Sequence, residues 1–276
     1  MKASNERTPA NFGRVIINSL CYFILAYLTV NFIASLVTSL ASLQFQYSTV
    51  IKYHKVIFAI DQQKWSGDAV KMLFSVNPLV GTLLSVISLI IYNNLVENNR
   101  LFKMYFLWIF IHSVNLTLGT ILSGSFVEKG FGYVLMYLYF TDTLRLILTI
   151  ISAFTMLFVG YFISRKFLFS ANTYFNDLTD RNIDFVVYGH IFIPSLLGTL
   201  FLMLLKLPEI TEDDMFAIPS VMIIITPLLL RYSFYPNFYF HQDKAEIKLD
   251  KTLLLLTLFI VAMFRIGLEY GLHINA

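Results

Sequence analysis

The chain has 276 residues, 57% of them hydrophobic and only 13% charged, with 27 Phe, 16 Tyr and a mean hydropathy of +0.70. Soluble domains carry roughly 25% charged residues, and a folded chain of this size leaves too much surface outside to hide so much apolar area from water; these totals exclude an ordinary soluble protein. The formal charge of +3 is scattered between apolar runs, so no nucleic-acid partner is expected, and the lone Cys21 excludes an internal disulfide and a cysteine-based zinc site.

In chain order, Lys2, Arg7 and Arg14 lead into an apolar run over 15–43. A Ser39-x-Ala41 pair near its end resembles a signal-peptide cleavage site. The run is far longer than a signal h-region of about 7–15 residues, so it is read as a retained first span at 15–42 behind a cytoplasmic tail, 1–14. Crossing a hydrocarbon core of roughly 30 Å takes about 20 apolar residues. On that criterion further spans fall near 78–96, 104–123, 144–163, 185–206, 217–235 and 252–271. The expected fold is an all-α integral membrane protein, a single domain over 1–276 with about seven transmembrane helices.

Between the first two spans, 44–77 reads as a long outer loop with room for an interfacial helix, and its Trp65 as a headgroup anchor. The run "GFGYVLMYLYF" at 130–140 is too short to cross alone; it reads as interfacial, re-entrant or an extension of the fourth helix. Pro194 and Pro227 fall inside the fifth and sixth spans. Each removes a backbone donor, and the carbonyl it frees needs another partner inside the protein. The run "RYSFYPNFYF" at 231–240 puts Tyr232, Tyr235 and Tyr239 at a membrane boundary, as an aromatic belt or a headgroup or partner site. With the N-terminus inside, twelve Lys/Arg lie on the inner side and six on the outer, leaving out Arg145 and Arg265 within spans. That bias predicts an inner N-terminus, an outer C-terminus and a multi-pass protein of the inner (cytoplasmic) membrane.

The third span carries the most informative polar residues, in "WIFIHSVNLTLGTILSG" at 108–124. Wound at 100° per residue, His112, Asn115, Gly119 and Ser123 share one face, with Thr120 and Gly124 alongside. A polar stripe on an apolar helix must face protein or water, because an unpaired polar group in hydrocarbon costs several kcal/mol. Two readings stay open. Gly119, Thr120, Ser123 and Gly124 allow a second helix to approach closely, with His112 and Asn115 as interhelical hydrogen-bond partners. Alternatively His112 and Asn115 line a polar pocket. Asp142 with Arg145 (i, i+3) and Arg265 with Glu269 (i, i+4) fall in the outer half of the predicted bundle, and His190 stands early in the fifth span. The candidate pocket therefore comprises His112, Asn115, Asp142, Arg145, His190, Arg265 and Glu269. The charged pairs can also neutralise themselves on their own helices or snorkel to the interface.

No His-Glu-x-x-His, Gly-x-Ser-x-Gly or Walker-type loop is present, so no catalytic residue, metal ligand or cofactor is predicted. The stretches "FKMYFLWIFIHSVNLTLGTILSG" and "GFGYVLMYLYF" (102–140) resemble a group of uncharacterised bacterial multi-pass membrane proteins. The resemblance covers the central third of the chain and implies a membrane-spanning fold with no transferable activity. A histidine-bearing helix before a short glycine-containing segment is also similar to site-2-type intramembrane proteases, but their metal motif is missing and catalysis is not implied. Three functions follow for comparison: binding or transport of a small polar molecule or ion through an outer-facing pocket; a non-catalytic scaffold whose helix faces or outer loop meet a protein partner; and, more remotely, a hydrolase-like protein. The first two do not involve an enzyme, and the lipid bilayer is the common partner.

Overall fold

Thr8 stands just ahead of Pro9, and its hydroxyl accepts a hydrogen bond from the Asn11 amide at 3.2 Å. This cap, with proline in the first helical turn, starts α1 (Pro9–Ser42) earlier than apolarity alone suggests. The expected tail 1–14 is accordingly helical from Pro9 on. The computed structural model describes residues 8–95, 100–240 and 247–276, and the first seven residues of that tail lie outside them.

Among the described residues six helical stretches are long and apolar enough to cross a membrane: Pro9–Phe45, Gly67–Asn94, Phe102–Val127, Asp142–Thr173, Ile183–Leu205 and Glu212–Phe234. The chain is thus an all-α bundle consistent with a multi-pass membrane protein. The apolar window of the third stretch is 61% buried, whereas those of the second and fourth are only 28% and 22% buried. The third helix is central, and the second and fourth turn large apolar residues such as Leu79, Leu83, Phe154 and Phe158 outward. An exterior of that kind suits acyl chains and not water.

The stretches are built from α2 (Gly67–Asn94); α3 (Arg100–Val114), a π turn Asn115–Gly119 and α4 (Thr120–Val127); a separate short α5 (Phe131–Tyr137); α6 (Asp142–Phe169); α7 (Ile183–Val186), a π turn Val187–Phe192 and α8 (Ile193–Leu205); and α9 (Glu212–Ala217) with α10 (Val221–Arg231). The segment 130–140 is therefore its own short helix, pressed against α4. Gly124 and Gly132 meet backbone to backbone there, where a β-carbon on either would collide. Thr141 caps α6 afresh, its hydroxyl accepting from the Leu144 amide at 3.4 Å.

Two expectations are corrected. The expected loop 44–77 ends at Ser66, and no α-helix lies within 44–66. Its β-branched runs form β1 (Thr49–Ile51) and β2 (Val56–Phe58), paired Val50 to Ile57, followed by a 3₁₀ turn. Ser66 then caps α2, accepting from the Ala69 amide at 3.1 Å, so the second helix begins eleven residues before the predicted 78. The second correction is to where the seventh span ends. α11 (Lys251–Ala262) and its π turn Met263–Gly267 contribute 12 and 5 residues, about 25 Å of helix at 1.5 Å per residue. The chain beyond Gly267 is not helix but a turn and β5 (Leu272–Ile274), which joins the sheet in the order β2-β1-β5. Gly271 breaks the helical pattern with φ +81°.

α11 nevertheless runs between opposite ends of the bundle. Its start is tied to the beginning of α1: Arg14 donates to the Ile247 carbonyl at 3.1 Å, Asn18 to the Lys248 carbonyl at 3.0 Å, and the Asp250 amide to Asn18 Oδ1 at 3.0 Å. Its end reaches β1. The end bearing β1, β2 and α5 is called the loop face below, and the end where α1 starts the tail face. Between them the core centres on Trp108, edge-on to Phe23 at 5.1 Å and to Phe167 at 5.0 Å.

Candidate functional site

The polar stripe of the third span meets two other helices. His112 is 4% exposed and donates its Nε2 proton to the Phe23 carbonyl at 3.1 Å, with its ring edge-on to Phe23 (4.4 Å) and Tyr27 (5.5 Å). Asn115 opens the π turn, a deviation from α-helix frequent where helices carry function. Its amide donates to the Ala217 carbonyl at 2.8 Å, and its Oδ1 accepts from the Ser220 hydroxyl at 2.8 Å. Ala217 and Ser220 flank the interruption between α9 and α10, which contains Pro219. One side chain therefore holds a broken helix by both edges. Gly119 makes the approach possible, because a β-carbon there would lie 2.6 Å from Ser220 Oγ. One turn on, the Ser123 hydroxyl donates to the Asp213 carboxylate. Thr120 bonds back to the Leu116 carbonyl of its own helix.

These contacts border open space. A cavity of about 80 Å³ is lined by His112, Asn115, Tyr27 and Ala217 together with Asn31, Asn77, Thr120, Asp213 and Asp214. The last five also line a larger cavity of about 330 Å³ on the loop face, walled by Tyr53 and His54 of the turn between β1 and β2, Tyr133 of α5, Lys206 and Thr211.

The charges around it are arranged asymmetrically. Lys206 is 5% exposed; its ammonium lies 2.6 Å from Asp214 Oδ1, and the Thr211 hydroxyl donates to the other oxygen at 2.9 Å. Burial works against the Lys206 charge, but Asp214 and the Tyr27 hydroxyl outweigh it and raise its pKa above the usual lysine range. Lys129 pairs with Glu212 at 2.8 Å. His54 approaches Glu209 at 2.8 Å, while burial pushes its pKa below the ordinary histidine value. Asp213 forms no ion pair among the described residues, and neither do Lys52 and Lys55 of the same cavity wall; one Asp213 oxygen accepts from Ser123, and the other rests against the bare backbone of Gly130, where a β-carbon would lie 2.7 Å away.

The other predicted pocket residues lie elsewhere. Arg145 sits between Glu128 and Asp142, each at 2.5 Å, outside the cavity wall. Arg265 stacks on Tyr53, 3.7 Å from the ring centroid, and bonds Glu269 and the Leu207 carbonyl. Both arginines are engaged by neighbours on the loop face, although the buried Nε of Arg145 has no hydrogen-bond partner among the described residues. His190 is fully buried toward the tail face, bonded to Ser170 Oγ at 3.1 Å and edge-on to Tyr174. Of the belt residues, Trp65 joins Tyr47, Phe58 and Phe74 in an aromatic cluster at the loop face. Arg231 stacks on Tyr161 near Tyr235, while Tyr232 neighbours Tyr188. Tyr239 stands 75% exposed on β4 (Phe238–Tyr239), paired with β3 (Asp177–Leu178).

Asn31, Asn77, Lys206, Asp213 and Asp214 are cavity residues that the sequence reading passed over. The signal for the acids was legible. "TEDD" at 211–214 places a threonine three residues before an acid, the pattern of a helix cap, and Thr211 indeed accepts from the Asp214 amide at 3.2 Å. That cap starts the sixth stretch at Glu212 and brings its acids into the bundle.

No family model, curated protein or solved structure matches this chain. Among the described residues no group of three or more His, Cys, Asp or Glu side chains is placed to hold a metal ion.

Proposed function

We propose that this protein binds a small polar molecule or ion in the cavity that descends from the loop face to His112 and Asn115, and that it passes this solute across the membrane. The observation carrying the reading is the continuity of polar lining: Asn31, Asn77, Thr120, Asp213 and Asp214 belong to both the outer and the inner cavity. Such groups are costly inside a bilayer unless they serve a hydrated path or a ligand. Asp213 borders both cavities and its side chain accepts a hydrogen bond from Ser123, so it can also accept from a donor group of a polar solute. The π turn at Asn115 and the break at Ala217–Ser220 meet in one hydrogen-bonded junction, and discontinuous helices at a midplane site are how many transporters combine binding with movement. In the same reading α11 is a seventh crossing, the N-terminus faces the cytoplasm of an inner membrane and the loop face looks outward. The twelve-to-six distribution of basic residues supports that orientation.

The test is a thermal-shift series on the purified protein in detergent with sodium, potassium, ammonium, amino acids and polyols. A true ligand at a hundredfold excess over its Kd stabilises by about 2.7 kcal/mol. Asp213→Asn should abolish that shift without altering the melting point of the unliganded protein by a comparable amount. A panel in which nothing stabilises, or a shift that survives Asp213→Asn, would overturn the reading in favour of a scaffold.

A further inference from the structure

At the tail face a cavity of about 580 Å³ opens where the second and fourth helices end and the third begins. Three cations line it, Lys103, Arg165 and Lys166, and no described carboxylate does. Among the described residues none of the three forms an ion pair. They are held in place by other means. Lys166 donates to Asn93 Oδ1 at 2.8 Å and lies 5.1 Å from the centroid of the Tyr92 ring. Lys103 approaches the same ring at 5.9 Å, and the Arg165 guanidinium lies 5.2 Å from the Phe169 ring.

Arg165 and Lys166 close α6, where the helix dipole favours cations, so their positions have an ordinary cause. Lys103 does not. It stands in the first turn of α3, the end at which a cation is disfavoured, and faces the same ring as a second ammonium. Like charges converging in this way are relieved by an anion between them. A phosphate matches the donors best: two lysine point charges and an arginine fork. The rim says where the phosphate comes from. Phe162 is 61% exposed on the helix whose apolar window is only 22% buried, and Tyr239 is 75% exposed beside it. The cavity mouth is therefore continuous with the lipid-facing surface.

We infer that this cavity binds the phosphate headgroup of an anionic membrane lipid, with the acyl chains running down the face of Phe162. In the proposed orientation the lipid belongs to the cytoplasmic leaflet, where anionic lipids attract basic residues near the surface. The full chain, delipidated in a neutral detergent, is titrated with dioctanoyl phosphatidylglycerol, dioctanoyl phosphatidylcholine and inorganic phosphate, and bound ligand is counted by native mass spectrometry. Phosphatidylglycerol should bind saturably and more tightly than either other probe. The double variant Lys103→Gln/Lys166→Gln should weaken it about thirtyfold, whereas Lys103→Arg/Lys166→Arg should retain it. Equal binding of the two lipids, or an unaffected glutamine variant, overturns the inference. Inorganic phosphate binding as tightly as phosphatidylglycerol would make this a soluble-phosphate site and defeat the lipid assignment. Should the glutamine variant fail to fold, wild-type binding of phosphatidylglycerol must still weaken as salt rises; indifference to salt overturns the inference equally.

Discussion

Asn115 donates to Ala217 and accepts from Ser220, and the Ser220 hydroxyl is also 2.8 Å from the Ala217 carbonyl. That hydroxyl has one proton and can serve only one of the two acceptors at a time. Removing the Asn115 amide therefore leaves Ser220 able to turn to Ala217, so no buried carbonyl is orphaned. Asn115→Leu should cost about 1–2 kcal/mol, given that interhelical hydrogen bonds in membranes average about 0.6 kcal/mol each. The check is the melting temperature of the full chain in detergent; an unchanged value would mean that other contacts hold the break in the sixth helix. The sequence made the stripe of His112, Asn115, Gly119 and Ser123 visible, because helical periodicity alone assigns residues to a face. It could not say that His112 is occupied by a carbonyl of α1 while Asn115 reaches α9, since backbone partners leave no trace in side-chain patterning.

Pro194 shows how a local rule becomes an element-scale contact. Its missing amide would have met the His190 carbonyl one turn back. That carbonyl instead accepts from the Ser19 hydroxyl of α1 at 2.5 Å, and the chain takes up the irregularity as the π turn Val187–Phe192. The need for a substitute donor was legible; its identity required knowing that α1 passes alongside. The end of the C-terminal helix escapes the sequence pattern for a related reason. Apolarity continues past Gly267, but Gly271 takes φ +81° and the strand behind it satisfies its backbone on β1. A side chain at 271 would pay about 1–2 kcal/mol for the left-handed conformation and would also strike Val50. Gly271→Val should therefore detach β5, seen as faster hydrogen exchange over 49–51 and 272–274 with the helical core still protected. Unchanged exchange in both segments would contradict the pairing as the anchor of this end.

At the scale of the whole molecule, the cavity between the first, second, third and sixth helices faces one end and the basic cavity the other. Because the chain has a single cysteine, Cys21, and it is buried, sidedness can be read in a Cys21→Ala background. A membrane-impermeant thiol reagent added outside intact cells should modify Thr211→Cys at the loop face and spare Thr173→Cys at the tail face. The reverse pattern would invert the proposed orientation, and labelling of both would refute a sealed bundle. Composition and hydropathy by themselves determined that this protein lives in lipid as a bundle of long apolar helices, since burial of so much apolar surface has no aqueous solution. The tertiary structure alone decided which polar residues keep company. Arg145, Arg265 and Glu269 are paired with close neighbours outside the loop-face cavity, whereas Asn31, Asn77, Asp213 and Asp214, from three separate helices, converge on it. Convergence depends on how helices are arranged in space, and the periodicity of each helix, read singly, carries no record of it.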